Sequence, residues 1–121
     1  MNSIPSHLIN DNERVHRLFE ASVKGVQTSF SHLSHDDIAY PPHRWFDAAL
    51  ARQIALHIMV NRFDIPKRRL ALELQRSRES VTRALSTVTE RLQNEAFSDS
   101  YEQMADVAGD ELNKTREGNP S

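Results

Sequence analysis

Within about two turns of one helix, the run Ser77-Arg78-Glu79-Ser80-Val81-Thr82-Arg83 carries four side chains suited to the edges of DNA bases. An arginine can donate to guanine O6 and N7 at once, a glutamate can accept from the cytosine N4 amine, and a threonine methyl can meet that of thymine. Arg78, Glu79, Thr82 and Arg83 are therefore the candidate base-reading residues. Ser77 and Ser80 lie at the helix start, where hydroxyls and free backbone N–H groups suit a phosphate oxygen. On the other side of the same helix Val81, Ala84, Leu85, Val88 and Leu92 recur at helical spacing, so one face is written for packing.

A helix of this kind needs a brace. Residues 66–74 supply one: Pro66 opens a short helix, Leu70 and Leu74 stand one turn apart, and small Ala71 permits a close crossing. Together they define a helix-turn-helix over about residues 66–92. The brace begins with Lys67, Arg68 and Arg69, where the DNA backbone would pass, and Arg76 in the turn and Arg52 on the preceding helix complete the expected phosphate set. The turn places Gln75 where a left-handed conformation would favour glycine. Ser77 caps the second helix, but Ser80 stands where a full capping box has Glu or Gln.

Charge agrees with this division. Between Arg62 and Arg83 seven basic residues face three acidic ones, whereas from Asn94 to Ser121 seven acidic residues face two basic ones. The overall charge of −2 hides one anion-facing stretch. There is no cysteine, which excludes disulfides and thiolate zinc sites. Three glycines, none in a phosphate-loop or dinucleotide pattern, leave no nucleotide-binding signature. The start of the chain lacks a basic segment followed by an apolar run, and no apolar stretch is long enough to span a bilayer. A cytoplasmic, nucleoid-associated protein without membrane contact is expected, and no enzyme.

The rest of the chain reads as one all-α domain of about five helices over residues 10–114, between a flexible start (1–9) and a disordered tail (115–121). Asn10 or Asp11 is expected to cap a first helix running to about Leu33. Residues 35–42, with Pro41 and Pro42, read as a connector. A central core helix is expected from about His43 to Phe63, with Trp45 and Phe46 on its apolar face. Ser98 or Asp99 is expected to start the last helix. The first helix is expected to complete the monomer core, with pairing in a homodimer as the alternative.

Residues 51–97 resemble the C-terminal DNA-binding domain (domain IV, Trp-repressor-like) of the bacterial replication initiator DnaA, and more closely stand-alone alphaproteobacterial proteins of that domain alone, such as transcription activators of gene transfer agents. The resemblance rests on Ala51-Arg52-Gln53-Ile54-Ala55, similar to the family's A-R-[QH]-[VI]-A, and on Gln75-Arg76-Ser77-Arg78-Glu79-Ser80-Val81, similar to its G-R-D-[HR]-T-T-V. It implies a wingless helix-turn-helix that binds double-stranded DNA and regulates transcription. Ser77 and Glu79 depart from the family's Asp and first Thr, which implies a DNA site other than the initiator's own. These residues hold no ATPase region, so an initiator by itself is not expected. The segment Ser77–Leu85 also resembles the recognition helix of Crp/Fnr regulators, but the glycine and wing that follow it there are missing.

Other constellations carry less. His32, His35, Asp36 and Asp37 straddle a helix end without a second ligand pair, so neither a metal nor any other cofactor is expected. His57 reads as a core-edge histidine. A protein-interaction adaptor, docking on RNA polymerase, a replication factor or another regulator, is the alternative function.

Overall fold

The structure, a computed structural model, describes residues 6–117, and these are all-helical. Six helices follow in order: α1 (Ser6–Gln27), α2 (His35–Ala39), α3 (Phe46–Asn61), α4 (Lys67–Glu73), α5 (Arg78–Arg91) and α6 (Glu95–Glu117). None is long and apolar enough to cross a membrane.

The centre is α3. Its residues Ile54 to Met59 are buried without interruption, which a helix achieves only when neighbours cover every side. α1 and α5 pack against it, and α6 lies along α1. The first helix thus completes the core of the monomer, through Val15, Leu18, Phe19, Val23 and Val26. At Gly25 the two long helices approach so closely that a Cβ would strike the Met104 carbonyl oxygen and the Ala108 backbone nitrogen. Here glycine is a packing requirement, although it weakens the helix that contains it.

His57 is buried, with Nδ1 2.6 Å from the Tyr101 hydroxyl of α6 and Nε2 3.2 Å from that of Thr89 on α5. One polar side chain joins three helices, and burial lowers the pKa of the imidazole. The same burial, aided by Glu102, raises that of Tyr101.

Several expectations need correction. α1 begins at Ser6, inside the stretch expected to be flexible, and residues 1–5 lie outside the described part. It stops at Gln27 rather than Leu33, where the Thr28 hydroxyl donates to the Gly25 carbonyl and the Gln27 amide to that of Leu33. Phe30 and Leu33 still pack on the core, which explains the longer periodicity. The supposed connector contains α2, begun by a full capping box: the Asp37 N–H donates to Ser34 Oγ and the Ser34 N–H to the Asp37 carboxylate, both at 3.1 Å.

Asn94 starts α6 early by accepting from the Phe97 N–H at 2.9 Å. That helix continues to Glu117, into the expected tail, of which residues 118–121 lie outside the described part. Trp45 and Phe46 are not core: they are 49% and 82% exposed. Arg44 has a left-handed φ of 69° and Trp45 an extended backbone, so α3 starts only at Phe46 and its first turn projects beyond the core, which begins at Ala48.

Candidate functional site

The α4–α5 pair is built as its residues dictate. Pro66, with φ −63°, leads into α4, and Leu70 and Ala71 are buried. After Leu74 the chain reverses: the Arg76 N–H donates to the Ala71 carbonyl at 2.9 Å and the Gln75 N–H to that of Leu72 at 3.3 Å. This is a Schellman closure, and its left-handed residue is Gln75, with φ 55°. Ser77 then starts α5 by accepting from the Ser80 N–H at 3.0 Å. With Ser in place of Glu at that third position, this is half of a capping box.

Val81, Ala84, Leu85 and Val88 of α5 are buried against α3 and α4. The four base-reading candidates, Arg78, Glu79, Thr82 and Arg83, are all exposed. Glu79, Thr82 and Arg83 fall on one face by helical spacing, with Arg78 one turn before Thr82. Ser86 completes that face and is exposed, though it was not among the expected residues. Its place seven residues after Glu79 was the available signal.

Clefts flank this face on both sides. On one, Lys67 of α4 meets Thr82, Ser86, Thr89, Glu90 and Gln93 around a hollow of about 370 Å³. On the other, Ser80 and Arg83 of α5 face Arg52 and Gln53 of α3, with Arg76 and Pro41, around another of about 370 Å³. Gln53 is a second residue without an expected role. Its position directly after Arg52 on a helix whose neighbouring face is buried was the clue.

The expected phosphate set divides by environment. Lys67, Arg68 and Arg76 are exposed and make no ion pair among the described residues. Ser77 and Ser80 are exposed at the α5 start, each engaged there in the cap. Arg69 binds Glu73 at 3.1 Å, one turn along α4. Arg52 is half-buried: Nη1 donates to the Ala39 carbonyl at the end of α2, and its guanidinium lies 5.8 Å over the Phe19 ring of α1. Burial lowers its pKa to about 10, with a contribution from nearby Arg76 against a smaller opposing one from Tyr40, so it stays charged at neutral pH. Arg62, counted in the basic stretch, faces away and pairs with Glu102 and Asp106 of α6, each at 3.1 Å.

The histidines near α2 serve pairing. His32 sits 2.6 Å from Asp47, while His35 sits 2.8 Å from Glu20 and 3.2 Å from Asp36. They face different carboxylates, so the four residues weighed as metal ligands do not converge. Three aromatic side chains are exposed around the α2–α3 turn: Tyr40 (75%), Trp45 and Phe46.

Comparisons of this chain with protein families, curated proteins and solved structures find no match.

Proposed function

We propose that this protein binds double-stranded DNA in a sequence-dependent way and regulates transcription, with α4 and α5 as a helix-turn-helix and α5 in the major groove. The observation that carries the reading is the exposed Glu79–Thr82–Arg83–Ser86 face of α5, set between Lys67 on one side and Arg52 and Arg76 on the other. A major groove lies between two phosphate backbones, and a reading helix needs base-edge chemistry at its centre and cations at its flanks. Lys67 supplies one flank, and Arg52 and Arg76 supply the other. The left-handed Gln75 where the turn was expected to favour glycine, and the Ser77 cap, are consistent with the resemblance to the initiator's DNA-binding domain. In this reading Glu79 selects a cytosine amine, and the target differs from the initiator's site.

Selection of bound duplexes from a random pool tests the proposal. A defined consensus is expected. On that consensus Arg78→Ala should weaken binding by about 1–3 kcal/mol and relax one position. Lys67→Ala should weaken all sequences alike and reduce the slope of log affinity against log salt by about one. Recovery of no consensus, or equal effects of both changes on selected and random duplex, would overturn it.

One observation favours a second reading. Tyr40, Trp45 and Phe46 form an exposed aromatic turn, and large aromatics are enriched at protein interfaces. A protein-interaction adaptor would use that turn and show no salt-dependent association with duplex DNA.

A further inference from the structure

A third hollow, of about 430 Å³, lies behind the α4–α5 turn, on the side of Arg52 and Arg76 away from Arg83. α1 and the end of α2 form one wall, and Leu72 to Arg76 the other. Its volume falls within the range of small-molecule sites. Phe19, Ala39 and Leu74 give it an apolar lining continuous with the core. Leu72 and Tyr40 line it too, and they are 67% and 75% exposed although large and apolar.

Two arginines line this space, Arg52 and Arg76, and the Arg52 guanidinium lies against its Ala39 and Phe19 walls. Neither forms an ion pair with a carboxylate among the described residues, and they act on each other, since Arg76 is the charged group that disfavours the Arg52 cation. The two carboxylates of the hollow are already engaged: Glu20 with His35 at 2.8 Å and Glu73 with Arg69 at 3.1 Å. Arg52 is held in place by the Ala39 carbonyl and the Phe19 ring, so little freedom is lost when it binds a ligand. An anion between the two would replace their repulsion with charge-assisted hydrogen bonds.

We propose that this hollow is a binding site for a small organic anion, with a carboxylate or phosphate group between Arg52 and Arg76 and an apolar body against Phe19, Leu72, Leu74 and Tyr40. Arg52 and Arg76 also line the groove beside Arg83. Resting on the proposed DNA reading, it follows that the anion and a backbone phosphate compete for the same two guanidiniums. By linkage, duplex then weakens the anion by the factor that the anion weakens duplex. Anion binding itself does not depend on that reading.

The test uses the full chain without DNA. Benzoate and phenyl phosphate are titrated in, with benzyl alcohol as the uncharged control and inorganic phosphate as the control without an apolar body, and methyl and arginine side-chain resonances are followed. Both organic anions should shift Leu72, Leu74, Arg52 and Arg76 saturably, and both controls should bind at least about tenfold more weakly, benzyl alcohol for want of the charge-assisted contact and inorganic phosphate for want of a buried apolar body. Arg76→Gln, at an exposed position, should lower anion affinity about tenfold without lowering the melting temperature. No saturable shift at these residues, equal binding of benzyl alcohol or inorganic phosphate, or an unchanged affinity in Arg76→Gln would overturn the site. Duplex is added last. Anion binding that duplex leaves untouched would refute the competition and the phosphate role of these arginines while the pocket stands.

Discussion

Gly25 and Gly109 both lie inside long helices, yet the same substitution should act on them in opposite directions. In a helix interior, Gly→Ala removes unfolded-chain entropy and gains up to about 1 kcal/mol. A Cβ at Gly109 meets nothing within 4 Å, so the full gain is expected there. At Gly25 the new Cβ would press on the Met104 carbonyl oxygen and come within 2.9 Å of the Ala108 nitrogen. These are backbone atoms of α6, which no rotamer change can remove, so α1 and α6 must separate. Overpacking of a core costs about 1–3 kcal/mol, and a collision with backbone belongs at the upper end. Subtracting the helix gain leaves a net loss of about 2 kcal/mol. In a domain of this size that lowers the melting temperature by about 6–10 °C, while Gly109→Ala raises it by about 3–5 °C. Urea titration followed by circular dichroism measures both, with an unchanged m-value as the sign that only stability moved. A higher urea midpoint for Gly25→Ala would refute the close crossing of α1 and α6, and with it the reason that the first helix belongs to the monomer core.

Gln75→Gly should stabilise the fold by about 0.5–1 kcal/mol, because the residue holds a left-handed φ of 55° that penalises any Cβ, and a urea midpoint that falls instead would contradict the Schellman turn. Two histidines should shape the pH dependence in opposite senses. His57 has its pKa lowered from 6.5 by burial, so the unfolded chain takes up the proton first and stability should fall as pH drops below 6.5. His57→Gln should flatten that acid limb in urea midpoints measured across pH. At His35 burial works against the proton, but the Glu20 and Asp36 carboxylates outweigh it and raise the pKa above 6.5. Its contribution is therefore complete below 6.5 and should decline as pH rises through the raised value, and His35→Gln should remove that alkaline slope. Asn94→Ala should lower stability by about 1 kcal/mol by removing the cap of α6, and melting temperatures report it.

The packed faces of α4 and α5 were legible because they depend on spacing alone. Leu70, Ala71, Val81, Ala84, Leu85 and Val88 are buried as the three- and four-residue repeats require. Helix ends were less legible, since they turn on single hydrogen bonds. Ser34 and Asp37 look like two polar residues of a loop until they are seen to bond reciprocally, and the cap of the last helix is Asn94 rather than the expected Ser98 or Asp99. Trp45 and Phe46 show the converse limit. Periodicity assigned them to the face of a core helix, but the left-handed Arg44 starts that helix where no neighbour reaches it. Hydrophobicity states what a side chain would gain from cover, and only the path of the chain decides whether cover is present.

The charged residues were read unevenly for a related reason. A run of arginines in sequence is a sum, whereas a surface depends on which of them have partners. Arg62 and Arg69 were counted as equals of Lys67 and Arg68, yet Glu102, Asp106 and Glu73 engage the first two while the second two face solvent without an ion pair among the described residues. Glu73 lies one helical turn from Arg69 and could be found by spacing; Glu102 and Asp106 are about forty residues from Arg62 and could not. Arg52 carries this furthest. Its nearest structural partners are a carbonyl at the end of α2 and a ring on α1, elements expected to be a connector and a helix that completes the core, neither with a part in the site. Those partners fix the guanidinium between the hollow behind the turn and the groove beside Arg83. The first two helices therefore do more than complete a core: they hold in place a cation on the flank of the exposed α5 face, so a change that removes the Phe19 ring should reach that face without touching it.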